Sequence, residues 1–130
     1  MEFSVSREQL LEKAQVAASV VERKQTMAIL VNILIEIDAM GAVLTGTDLD
    51  TEISTKMELL EVGSGGAVTV PAKKLVDIAK ALPEGAIVQF KVDGSQMLLS
   101  SGRSRFKLGT LGAEDYPRLE IRGEMTTVVV

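Results

Sequence analysis

Residues 3–14 read FSVSREQLLEKA, and 65 positions later residues 68–79 read VTVPAKKLVDIA. Val5 aligns with Val70, Leu10 with Leu75, Glu12 with Asp77 and Ala14 with Ala79. A second correspondence follows at an offset of 55: Ile35–Asp38 aligns with Phe90–Asp93, Val43–Thr45 with Leu98–Ser100, and Ile53 with Leu108. The fall from 65 to 55 puts about ten additional residues in the first copy, around Val21–Leu30. A 130-residue chain that repeats at half its length is constrained to two copies of one supersecondary unit.

Each copy opens with a short alternating strand that turns directly into a helix. Ser6 with Gln9 has the spacing of a capping box, and Pro71 opens the second helix, where proline is tolerated. Leu10, Leu11, Ala14, Ala17, Ala18 and Val21 fall on one arc of the first helix; Leu75, Val76, Ala79 and Leu82 do so on the second. Period-two alternation then predicts strands, with Val31, Ile33, Ile35 and Ile37 on one face, Asn32, Glu36 and Asp38 on the other, and Leu34 out of pattern. Ala39-Met40-Gly41 and Asp93-Gly94-Ser95 are the hairpin turns. Each half reads β-α-β-β-β, which predicts an α+β fold with two helices and about eight largely antiparallel strands. Gly63-Ser64-Gly65-Gly66 reads as a flexible joint between units at about 1–62 and 67–120, and 121–130 reads as a tail.

Histidine and cysteine are both absent, which removes imidazole bases, thiolate nucleophiles, disulfides and the usual zinc and iron–sulfur ligands. The net charge of −4 argues against a generally basic nucleic-acid binder. Its distribution is more informative. Positions 36–61 hold seven acids against the single Lys56, whereas the polar face of the second helix carries Lys73, Lys74 and Lys80 with Asp77. That face is either solvated surface or a surface turned toward phosphate. Asp48, Asp50 and Glu52 alternate like metal ligands, but Ile53 stands where an EF-hand needs glycine and Leu59 where it needs glutamate. No apolar run reaches the roughly 18 residues of a membrane span, and no signal peptide is read at the start, so a soluble intracellular protein is expected.

The run Ser101-Gly102-Arg103-Ser104-Arg105-Phe106-Lys107-Leu108 places Arg103, Arg105 and Lys107 on one strand face and Ser104, Phe106 and Leu108 on the other. It reads equally as an amphipathic strand with Phe106 and Leu108 in the core, or as an edge strand that adds onto a partner's sheet.

Four phrases in order, FSVSREQLL, LTGTDLDTEI at 44–53, VPAKKLVDIAKALPEG at 70–85 and SGRSRFKLGTL at 101–111 followed by Asp115-Tyr116-Pro117, resemble the N-terminal domain of the bacterial DNA polymerase III beta subunit, the DNA sliding clamp. The resemblance covers about residues 1–120 and implies the DNA-clamp fold, two βαβββ units about a pseudo-twofold axis with both helices on one side of two antiparallel sheets. It implies a non-catalytic, cytoplasmic processivity factor without cofactor or metal. Six such domains close a ring around duplex DNA and tether a polymerase, which a clamp loader installs. Carried over residue by residue, Arg23, Lys24, Lys73, Lys74, Lys80 and Lys13 would face DNA, and Arg103, Arg105, Phe106 and Leu108 would meet a neighbouring subunit. Ala28 departs from the family's usual proline. Clamp chains have three such domains, so residues 121–130 would begin a second one, and a single domain would cover only an arc of the duplex. Alternatives are an interaction module using the 101–110 strand and a self-assembling single-domain ring.

Overall fold

In a computed structural model, residues 1–21 and 28–117 are described. The first copy runs β1 (Glu2–Ser6), α1 (Arg7–Ala18), a 3₁₀ turn at Ala28–Val31, β2 (Asn32–Asp38), β3 (Gly41–Thr47), β4 (Glu52–Met57) and β5 (Glu61–Ser64). The second runs β6 (Gly66–Pro71), α2 (Ala72–Ala81), β7 (Ile87–Asp93), β8 (Gln96–Ser101), β9 (Ser104–Gly109) and β10 (Leu111–Gly112). Two five-stranded antiparallel sheets result, ordered β5-β1-β7-β8-β9 and β10-β6-β2-β3-β4.

The two copies are interlaced. The first strand of each copy pairs with the meander of the other, β1 with β7 and β6 with β2. The register repeats residue for residue: Val5 opposes Val88 as Val70 opposes Ile33, and Phe3 opposes Phe90 as Val68 opposes Ile35. Those partners differ by the 65 and 55 offsets seen in the sequence, so the repeat is a structural pseudo-twofold. The phenyl rings of Phe3 and Phe90 stack across the seam, with centroids 4.5 Å apart and planes 9° from parallel.

Several local expectations are corrected by this register. Leu108 opposes Met97 and Met57 opposes Ala42, so Leu108 is the counterpart of Met57 and not of Ile53. The longer β3–β4 connection, beside the tight β8–β9 turn, shifts the offset from 55 to 51. The described strands number ten because β5 and β10 are added; both are short and wholly exposed, so no alternation marks them. The supposed flexible joint is itself strand: Gly63 and Ser64 lie in β5, Gly66 lies in β6, and only Gly65 separates them. A Cβ on Gly65 would lie 2.6 Å from the Ile37 carbonyl oxygen, so glycine serves close approach there and not mobility. Only half the capping box forms. The Gln9 N–H donates to Ser6 Oγ at 3.2 Å, but the Gln9 side chain accepts from the Glu58 N–H at 3.0 Å and not from Ser6.

One core unites both sheets and both helices. Leu10, Ala14 and Ala17 of α1 and Ala72, Leu75 and Ala79 of α2 face it, and the helices pack on each other. They therefore occupy the same side of the sheets. They run antiparallel, since Arg7 at the start of α1 donates its Nε–H to the Ala79 carbonyl near the end of α2 at 2.9 Å, where a cation suits the helix dipole.

Leu34, out of pattern in the sequence, faces the opposite side of its sheet, in a small second core with Ile29 and Tyr116. Val31 belongs to the preceding 3₁₀ turn and not to the strand. The Tyr116 hydroxyl donates toward the Thr45 carbonyl at 3.1 Å, with the Asn32 carbonyl at 3.4 Å. Beneath it, Asn32 donates to Thr69 Oγ1 at 3.0 Å, and Thr69 in turn donates to the Leu111 carbonyl at 3.1 Å. Tyr116→Phe is expected to cost about 1 kcal/mol in urea denaturation, the net value of a buried hydrogen bond, while leaving the fold intact. An unchanged midpoint would mean that this hydroxyl contributes nothing.

Candidate nucleic-acid interface

The exposed face of α2 is the basic one. Pro71 precedes the helix and supplies no side-chain cap, the first turn holds no acid, and Lys73 and Lys74 stand there instead. Lysines at a helix N-terminus oppose the macrodipole and its unpaired N–H groups, so this placement does not serve helix stability. It gathers positive potential. Lys73, Lys74, Asp77 and Lys80 line one open groove of about 600 Å³, whose apolar floor includes Ala18 and Val21 at the end of α1. Lys73 Nζ pairs with Asp77 Oδ2 at 2.9 Å, whereas Lys74 and Lys80 make no ion pair among the described residues.

The counterpart face of α1 differs. Moving Lys73, Lys74, Asp77 and Lys80 back by 65 reaches Glu8, Gln9, Glu12 and Gln15, a stripe without a cation. Lys13 lies beside it with its side chain only 23% exposed, paired with Glu12 at 3.0 Å. Of the six residues singled out for phosphate, the fold thus brings Lys73, Lys74 and Lys80 together and sets Lys13 apart in an ion pair. Arg23 and Lys24 lie outside the described residues.

The second candidate surface is β9, an edge strand bonded to β8 alone among the described residues. Arg105 and Lys107 are exposed on its outer face and Phe106 is half-buried, while Leu108 is 5% exposed and belongs to the core. Leu108 can offer a neighbour its backbone only. Arg103 is not on the strand: Gly102 and Arg103 form the β8–β9 turn, with Gly102 at φ +58°. The outer face of this sheet is balanced in charge, with Lys91, Arg105 and Lys107 beside Glu2, Glu61 and Asp93, while Glu36, Asp38 and Glu52 outnumber Lys56 on the other sheet. The expected acidic exterior is therefore confined to one of the two sheets.

Of the acids at 48–52, Asp48 is committed to its loop. Asp48 Oδ1 accepts from the Asp50 N–H at 2.9 Å and the Thr51 N–H at 2.7 Å, and Leu49 sits at φ +80°. No group of three acids among the described residues is placed to hold a metal ion. Likewise, none of the described helices is long and apolar enough to cross a membrane.

Two interlaced βαβββ units, with paired helices on one side of two antiparallel sheets and lysines on the outward helix face, define the class: a DNA-clamp domain. The sequence profile of the DNA polymerase III beta subunit, N-terminal domain, matches residues 1–120. The beta sliding clamp of Pseudomonas putida is 46% identical over 120 residues, and that of Escherichia coli K12 is 42% identical over the same length. Each match covers 92% of this chain and 33% of the relative, so the chain spans about a third of the curated relatives' length. A crystal structure of a Pseudomonas aeruginosa sliding clamp bound to griselimycin superposes with a TM-score of 0.90 at 41% identity, covering 96% of this chain and 34% of that one. The Caulobacter crescentus polymerase III beta structure gives 0.90 at 36% identity, with coverages of 95% and 33%. The chain belongs to the DNA polymerase III beta subunit family, in the region of that family's N-terminal domain.

Proposed function

We propose that this chain forms one arc of a ring that encloses duplex DNA, a non-catalytic part of a processivity factor acting in the cytoplasm. The observation that carries the reading is the gathering of Lys73, Lys74 and Lys80 on the exposed face of α2 in a chain of net charge −4. Cations on a rigid helix contact phosphates without reading bases, so binding is sequence-independent and a ring can slide. A twelve-residue helix spans about 18 Å, so enclosure requires further domains of the same kind. The free edge of β9, with Arg103, Arg105 and Phe106 around it, is suited to joining one of them, the C-terminal domain of a neighbouring subunit. Polymerase and clamp loader are then partners of the complete ring.

Titrating the chain with short duplexes of two unrelated sequences tests the reading. Equal affinity is expected for both, with log K falling linearly against log salt. Lys74→Glu combined with Lys80→Glu should weaken binding and reduce that slope by about 2. Sequence-selective binding, salt-independent binding, or no effect of the double variant would each overturn it.

A second reading rests on the exposed arginines of the β9 edge, a module that binds an acidic protein segment. Arg103→Glu would then abolish partner binding and leave duplex binding unchanged.

A further inference from the structure

We propose that Asp77, together with its repeat counterpart Glu12, sets the strength of the phosphate contact from within the helix face itself, so that duplex is retained without being gripped. The proposal deepens the DNA-facing reading of α2 and rests on it.

Asp77 occupies the middle of the basic face. It stands four positions after Lys73, three after Lys74 and three before Lys80, the spacings at which helix side chains are neighbours. All four residues line the same groove. Asp77 holds Lys73 through its Oδ2 at 2.9 Å, with the two side chains 66% and 56% exposed. Its carboxylate therefore acts twice on an approaching phosphate, by occupying one of three lysines and by repelling the anion directly.

Helix stability does not account for the pair. An acid followed four residues later by a lysine is the favourable order, and this pair has the reverse. Lys73 lies at the helix end that disfavours cations, and an exposed pair contributes little in any case. The arrangement answers to something outside the helix.

The repeat supplies independent support. Position 77 maps onto position 12 by the offset of 65, and Glu12 is again an exposed acid holding an adjacent lysine, Lys13, at 3.0 Å. The other cations of α2 are not repeated on α1, where Glu8, Gln9 and Gln15 take their places. The paired acid is thus common to both inner helices, while the surplus of lysines is particular to one. Duplex drawn to α2 meets no compensating attraction on the α1 stripe, where the exposed Glu12 repels phosphate directly.

The test uses the 130-residue chain, a labelled duplex and a series of salt concentrations. Asp77→Asn preserves size and hydrogen-bonding groups at an exposed site. It should tighten binding about threefold to tenfold at low salt and steepen the log K against log salt slope by about 0.9, one additional phosphate neutralised. Lys73→Gln should have a smaller effect than Lys74→Gln in the parent chain, because Lys73 is already paired, and an effect equal to it in the Asp77→Asn background. Asp93→Asn, which removes the same formal charge at the β7–β8 turn, should leave affinity unchanged. If Asp77→Asn matches the parent in affinity and slope, or if Asp93→Asn gives the same gain, the attenuating role is wrong. Those outcomes are separable from failure of the DNA reading, which would appear as indifference to Lys74→Gln and Lys80→Gln.

Discussion

Residues 1–64 and 65–130, produced as separate chains, are expected to be unfolded alone and to regain structure when mixed. The interlacing dictates this. Without the second copy, β1 keeps only the four-residue β5 as a neighbour and loses the five-residue register with β7. Without the first, β6 keeps only the two-residue β10. Each half would be left with a two-stranded ribbon and a three-stranded meander, elements that are marginal by themselves. The buried faces of Phe3 and Phe90, and of Val70 and Ile33, would lie open to water, and a chain of about 60 residues has little core to spare. Circular dichroism and amide exchange on each half and on the equimolar mixture measure the effect. A cooperative thermal transition in either half alone would show that the repeats are independent folding units, contrary to this expectation.

Gly46→Ala is the single substitution expected to do most damage. A Cβ at position 46 would collide with the Ala17 carbonyl oxygen and lie 2.9 Å from its carbonyl carbon. Both are main-chain atoms of α1, so no rotamer change relieves the contact; the helix must lift from β3. Overpacking of this kind costs about 3 kcal/mol, and more where the backbone cannot move. Urea denaturation should show the loss, with Gly109→Ala, where an added Cβ meets nothing within 4 Å, as a nearly neutral control. Equal midpoints for the two variants would mean that α1 is not seated against β3 as described. The counterpart of Gly46 in the second copy is Ser101, so this close approach belongs to one half only.

Much of the architecture was legible before any coordinates. The offset of 65 located both strand-to-helix units, and the apolar arcs on the two helices are the faces that the core buries. Gly94 in its turn, at φ +63°, was readable as hairpin chemistry. What failed did so where no periodic signal exists. β5 and β10 are too short and exposed to alternate, and Leu34 falls outside the alternation because its cover, Tyr116, lies 82 residues away. For the site, Lys73, Lys74 and Lys80 share a helix face by spacing alone. The burial of Leu108, the withdrawal of Lys13 into an ion pair and the position of Arg103 in a turn required the fold.

The amino-acid sequence by itself determined the unit, its duplication, the helix faces and the exclusion of imidazole and thiolate chemistry, because these depend on composition, on periods shorter than one element and on a repeat visible along the chain. Only the tertiary structure decided that the two units exchange their first strands, that the acid excess of the exterior lies on one of the two sheets, and which lysines pair with an acid among the described residues. Strand partnership is set by backbone hydrogen bonding between residues at least 29 positions apart. The periodicity within a strand specifies which face is buried and leaves open which neighbour it is buried against.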